Sequence, residues 1–128
     1  SPLIRIPVTR GAGTRVELRC PDPAANPYLV LAVCLEAGLD GIRNQITPPD
    51  AVTENVFEMQ LPQRAKLGIE SLPGDLEQAV EELEKDDYIK NVLGGHITEK
   101  YLEAKKAEWA DYRAQVTEWE IEKYLYKI

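Results

Sequence analysis

From Tyr28 to about Ile42 the chain is apolar on nearly every face of a helix: Leu29, Val30, Leu31, Ala32, Val33, Cys34, Leu35, Ala37 and Leu39 leave almost no polar side. A helix of that kind must be covered all round, so the rest of the fold is constrained to wrap it. It is too short and too glycine-bearing to span a bilayer, which makes it a core helix. Asn26-Pro27 supplies its start, with an N-cap followed by proline at the first helical position, where the missing amide hydrogen costs nothing.

Upstream, Leu3 to Val8 and Thr14 to Cys20 read as two strands joined by Thr9-Arg10-Gly11-Ala12-Gly13. Two strands alone are marginal in water, so they are expected to be part of a larger antiparallel sheet whose other strands are absent from this chain, and hence the mark of a fragment. In the second strand, period two puts Arg15, Glu17 and Arg19 on one face and sends Val16, Leu18 and Cys20 into apolar packing. The bland reading of the charged face is an exposed row whose charges offset each other in water. The functional reading is a polar site in which arginines hold anions and the carboxylate holds a cation. Gly11-x-Gly13 has no helix immediately behind it, so it is a flexible hairpin and not a phosphate-cradling loop.

After the core helix, four prolines between Thr47 and Gly74 mark a loop-rich connection, interrupted by a short helix near Pro62 to Lys66. An amphipathic helix follows over Asp75 to Asp86, with Leu76, Ala79, Val80 and Leu83 opposite its acids. A shorter one over Asp87 to Leu93 stops at Gly94-Gly95. Thr98 is expected to cap a long helix with Tyr101, Leu102, Lys105, Trp109, Tyr112 and Val116 along one stripe. Thr117-Glu118-Trp119-Glu120 has capping-box spacing and restarts a last helix through Tyr124. The aromatic end, with Trp119, Tyr124, Leu125, Tyr126 and Ile128, suggests docking on the body of the domain or on another subunit. The fold class is therefore α+β and mainly helical: a two-stranded piece of a larger sheet, a buried core helix and several packed helices, as one domain over 1–128.

The formal charge of −7 argues against nucleic acid or an anionic membrane surface as a direct partner. Charge is nevertheless uneven. Arg5, Arg10, Arg15 and Arg19 crowd the first twenty residues with Glu17 as their one acid, a patch suited to a small phosphate or carboxylate. The two cysteines, Cys20 and Cys34, lack metal-type spacing with the single histidine, His96, and read as free thiols packed as small hydrophobes. No signal sequence or membrane-span pattern appears, so the expected compartment is the cytoplasm.

Arg15-x-Glu17-x-Arg19 followed by Pro21-Asp22-Pro23-Ala24-Ala25-Asn26-Pro27-Tyr28-Leu29 closely resembles the C-terminal part of bacterial type I glutamine synthetase. The likeness begins at Ile4-Arg5-Ile6-Pro7 and runs through Ala37-Gly38-Leu39-Asp40-Gly41-Ile42 to the chain end. It implies ATP-dependent ligation of ammonia to glutamate through a phosphorylated intermediate, with Mg2+ or Mn2+ and homo-oligomeric double-ring dodecamers. It also implies roles for single residues. Glu17 matches a metal-holding glutamate, Arg15 a catalytic arginine near the phosphoryl group, Arg5 another phosphate-side arginine, and Arg19 an arginine contacting the glutamate substrate. Phe57 stands where some members carry a tyrosine that is modified by a nucleotide. Control by that route is not expected here, and ligand feedback or a protein regulator takes its place. This chain alone is expected to be inactive, since most metal ligands lie on sequence it does not contain. The competing reading is a helical oligomerisation or regulator-binding module without catalysis, which has no reason to keep Arg5, Arg15, Glu17 and Arg19 on one face.

Overall fold

The structure, a computed structural model, describes residues 3–125. Two compact units emerge, residues 1–71 and 72–128. In the first, β1 (Ile4–Arg5) and β2 (Glu17–Leu18) pair antiparallel with Ile4 opposite Leu18 and Arg5 opposite Glu17. The Arg19 amide extends the ladder by donating to the Leu3 carbonyl at 2.9 Å. These strands are shorter than the sequence pattern suggests. Pro7, the second residue after β1, has no amide hydrogen to continue the pairing, and Gly11–Gly13 tightens into a 3-10 turn. The side expected to pack inward is bare, for Val16 is 65% and Leu18 41% exposed and Cys20 is an exposed free thiol.

The long helix α1 (Pro27–Arg43) starts as its sequence predicts, with Asn26 Oδ1 accepting from the amides of Tyr28 and Leu29 at 3.0 and 3.3 Å. Its burial corrects the expectation. No residue of α1 is buried, and Tyr28, Leu31, Leu35 and Ile42 are exposed along one stripe with the three- and four-residue steps of a helix face. Leu29, Val30, Val33, Cys34 and Leu39 are half-covered. The pattern demanded cover on all sides, and the described residues cover one.

Past α1 the chain turns on Gln45, the one non-glycine residue with positive φ (51°) among the described residues. The Ile46 amide reaches back to the Gly41 carbonyl at 2.9 Å, the bond of a Schellman stop. The short helix α2 (Leu61–Lys66) ends the same way: Ile69 donates to the Arg64 carbonyl at 2.9 Å around Gly68, φ 64°. Only the second stop has the residue its backbone favours. Gln45→Gly should therefore stabilise unit 1 by about 0.5–1 kcal/mol, the left-handed strain relieved less the extra freedom given to the unfolded chain. A rise in denaturant midpoint at unchanged slope would be the signature. Between these helices, Val56–Glu58 forms a 3-10 turn capped by Asn55, with Phe57 exposed, and Met59 is buried.

In the second unit α3 (Leu76–Lys85), α4 (Asp87–Leu93) and α5 (Gly95–Arg113) pack on one another. Asp75 and Asp86 cap the first two, accepting from the Gln78 and Ile89 amides at 2.9 Å each. Among the described residues of this unit, Val80 is the buried apolar one. Gly94, φ 78°, stops α4 as expected, but Gly95 already opens α5. Thr98 is consequently not a cap. It lies buried one turn inside α5, where its Oγ1 donates to the Lys90 carbonyl at 3.2 Å. Lys90 Nζ in turn donates to the Glu84 carbonyl near the end of α3 at 2.6 Å.

On α5, Leu102, Lys105 and Trp109 are half-covered while Tyr101 and Tyr112 are exposed. The Lys105 ammonium lies 5.8 Å from the Tyr101 ring centre and pairs with Glu108. The capping box forms in full: Thr117 Oγ1 accepts from the Glu120 amide at 3.2 Å, and the Glu120 carboxylate accepts from the Thr117 amide at 2.8 Å. The helical turn α6 (Glu118–Glu120) widens into a π turn over Ile121–Leu125. Trp119 and Tyr124 meet edge-on at 5.8 Å and are both exposed. Tyr126 and Ile128 lie outside the described residues.

Candidate functional site

The antiparallel register sets the site. Because Arg5 lies opposite Glu17, and Arg15 and Arg19 flank Glu17 two residues away on the same strand face, three guanidiniums converge on one carboxylate. Arg5 Nη1 donates to Glu17 Oε2 at 2.9 Å. Arg15 grips the other oxygen in a fork, Nε at 2.9 Å and Nη2 at 2.7 Å from Oε1. Arg19 Nη2 makes the loosest contact, 3.5 Å from Oε2. Arg15 is also held from behind, its Nη1 donating to the Gly13 carbonyl at 3.1 Å.

This geometry has two electrostatic consequences. The hydrogen bonds from Arg5, then from Arg15, hold the Glu17 carboxyl below its ordinary value. A lowered carboxylate stabilises the fold fully at pH above the usual carboxylate range, and that contribution is lost as acid takes the pH down through the lowered value. At neutral pH Glu17 is thus ionised, and three guanidiniums around one carboxylate leave a surplus of two positive charges. The arginine side chains are 42–52% exposed, so the surplus faces solvent where an anion can reach it.

Arg15, Glu17 and Arg19 are therefore brought together as their spacing suggested, and Arg5 joins them across the sheet. Arg10 does not. Its Nη1 turns back onto the carbonyls of Pro7 and Thr9 at 2.6 and 3.2 Å, which removes it from the basic patch. The contribution of Arg5, twelve residues from Glu17, depends on strand register and has no local signature.

A divalent cation does not fit this cluster by itself. Magnesium takes about six oxygen ligands, whereas both Glu17 oxygens already accept from guanidiniums. Among the described residues no group of three or more His, Cys, Asp or Glu side chains could hold a metal. Nor is any helix among them long and apolar enough to cross a membrane.

The family model described as glutamine synthetase, catalytic domain, matches residues 1–124. The chain belongs to that family. It is 53% identical over 125 residues to the glutamine synthetase of Clostridium saccharobutylicum and 54% identical over 126 residues to that of Thermotoga maritima. Each match covers 98% of this chain, but the chain spans only 28% and 29% of those relatives' lengths. Among solved structures, a GmaS–ADP complex superposes with a TM-score of 0.76 at 41% identity, over 88% of this chain and 25% of that one. GmaS without ligand gives 0.73 at the same identity, over 86% and 25%. The arginine–glutamate cluster thus sits in a glutamine synthetase catalytic-domain sequence, and its mainly helical architecture with a two-stranded antiparallel sheet is that of an α+β piece of this family.

Proposed function

We propose that this chain is the C-terminal portion, as one domain over 1–128, of the catalytic domain of an ATP-dependent glutamate–ammonia ligase, acting inside a polypeptide of its relatives' length. The observation that carries this is the convergence of Arg5, Arg15 and Arg19 on Glu17 in a sequence half-identical to glutamine synthetases. Phosphoryl transfer needs fixed cations around oxygens whose charge is redistributed, and the substrate needs its carboxylates gripped. Arg15 and Arg5 serve the phosphoryl group, Arg19 the glutamate carboxylate. Glu17 supplies one ligand to Mg2+ or Mn2+, the remaining ligands coming from elsewhere in the domain. The ADP in the related GmaS complex supports a nucleotide as co-substrate. Since the cluster offers one carboxylate, Glu17, where several ligands are needed, the chain makes no glutamine alone.

The setting follows from the same reading: a cytoplasmic homo-oligomer of the double-ring type, without nucleic acid or membrane partners. Phe57 has no hydroxyl to modify, which leaves ligand feedback or a protein regulator as the means of control. An interaction module would account for the exposed Trp119 and Tyr124, but not for a row of arginines around a carboxylate.

The test is Arg19→Ala in a protein of full family length. Losing a charge-assisted carboxylate contact worth about 1.5–3 kcal/mol should raise KM for glutamate roughly ten- to 150-fold and leave KM for ATP nearly unchanged. Equal increases for both substrates would sink the assignment.

A further inference from the structure

We propose that Thr9 and Gly13 are positioning residues for Arg15: the Thr9 methyl fills the space where position 13 carries no side chain, and this contact sets the carbonyl that holds the Arg15 guanidinium from behind. The inference rests on the reading of Arg15 as an arginine that serves the phosphoryl group, and adds what fixes it in place. A Cβ built on Gly13 would lie 2.5 Å from Thr9 Cγ2 and 3.4 Å from Thr9 Cβ, whereas carbon atoms in contact rest about 3.5–4.0 Å apart. Position 13 therefore has no room for a methyl. The demand is one of space alone, since the φ of Gly13 is not positive; Gly11, at φ 71°, has open space around it and is set by its backbone instead. The two glycines of this turn answer different needs.

A methyl at position 13 would have to move one of the two residues, and their surroundings decide which. Thr9 is the better held. Its carbonyl accepts from Arg10 Nη1 at 3.2 Å, and the same nitrogen donates at 2.6 Å to the carbonyl of Pro7, which is buried. Its side chain is β-branched and stiff about χ1. Arg10, absent from the basic patch, thus has a place in this arrangement as the clamp on the Thr9 side. Gly13 is held more lightly: it ends the 3-10 turn, which the Thr14 amide closes onto the Gly11 carbonyl at 3.1 Å, and its own carbonyl accepts from Arg15 Nη1 at 3.1 Å. The backbone at Gly13 is what gives way, and its carbonyl goes with it. Arg15 then keeps its fork on Glu17 but loses the second anchor.

In a protein of full family length carrying this stretch, Gly13→Ala should lower kcat about three- to tenfold, the effect of losing one hydrogen bond that orients Arg15. Adding Thr9→Ser to Gly13→Ala removes the opposing methyl and should bring kcat back to within about twofold of the unaltered protein. A double-mutant cycle separates positioning from a general effect on the fold. In an Arg15→Ala background, Gly13→Ala should cost nothing further, because the guanidinium it displaces is gone; a role in the fold alone would add its full loss to that of Arg15→Ala. Undiminished kcat in Gly13→Ala, no recovery with Thr9→Ser, or full additivity with Arg15→Ala would each overturn the proposal. If Arg15→Ala lowers kcat while any of those results is seen, the phosphoryl role of Arg15 stands and only the Thr9–Gly13 pairing is lost. If Arg15→Ala leaves kcat intact, that role falls and takes this inference with it.

Discussion

In a protein of full family length carrying this stretch, Arg15→Ala should lower kcat by two to three orders of magnitude with a much smaller change in either KM. The expectation follows from how Arg15 is held. Its guanidinium is fixed at both ends, by the Glu17 carboxylate and by the Gly13 carbonyl, so it is oriented before any substrate arrives. Preorganised donors of this kind act on charge that develops in the transition state, and losing one from such a site costs about 10²–10³ in rate. Arg15→Lys keeps the charge but not the planar fork, and should recover only part of the loss. Steady-state kinetics with ATP and glutamate varied in turn would separate the effects. A loss confined to KM would make Arg15 a ground-state binding residue.

The second large effect concerns the uncovered side of α1. Leu31 and Leu35 are 68% and 63% exposed, and Tyr28 and Ile42 extend the same stripe. Burying a leucine fully is worth about 1.5–3 kcal/mol, most of which these two have not yet gained. Unpaired edges of β1 and β2 add hydrogen-bonding groups that template association. The isolated 128-residue chain should therefore self-associate at micromolar concentrations. Leu31→Glu with Leu35→Glu should weaken that association by roughly a hundredfold, because each change removes buried area and sets like charges against each other. Sedimentation velocity over a dilution series measures both. A chain that stays monomeric throughout would show that the stripe is not a driving force.

Local chemistry was readable from the residues, and distant cover was not. Asn26-Pro27, Asp75 and Thr117-x-x-Glu120 start their helices as the sequence predicts, since a cap is a bargain between residues three apart. The face of Arg15, Glu17 and Arg19 followed from period two alone. Arg5 joined them only through a strand register that no local pattern encodes, and Arg10 left them because backbone carbonyls of its own loop were within reach. Thr98 had the composition of a cap, but the glycine turn before it let α5 begin four residues early, with Gly94 at the cap position. The misread burial of α1 has a different origin. Hydropathy states what a helix needs, and it carries no information on which residues meet the need.

Lys90 gives the helical unit a character that its helices would lack singly. Through its side chain it closes a carbonyl near the end of α3, and through its own carbonyl it receives Thr98 from α5. A seven-residue helix such as α4 is too short to persist by itself in water. Tied at both flanks, α4 should have no melting of its own: its amides are expected to exchange with solvent only when its neighbours open too, as part of one foldon with α3 and α5.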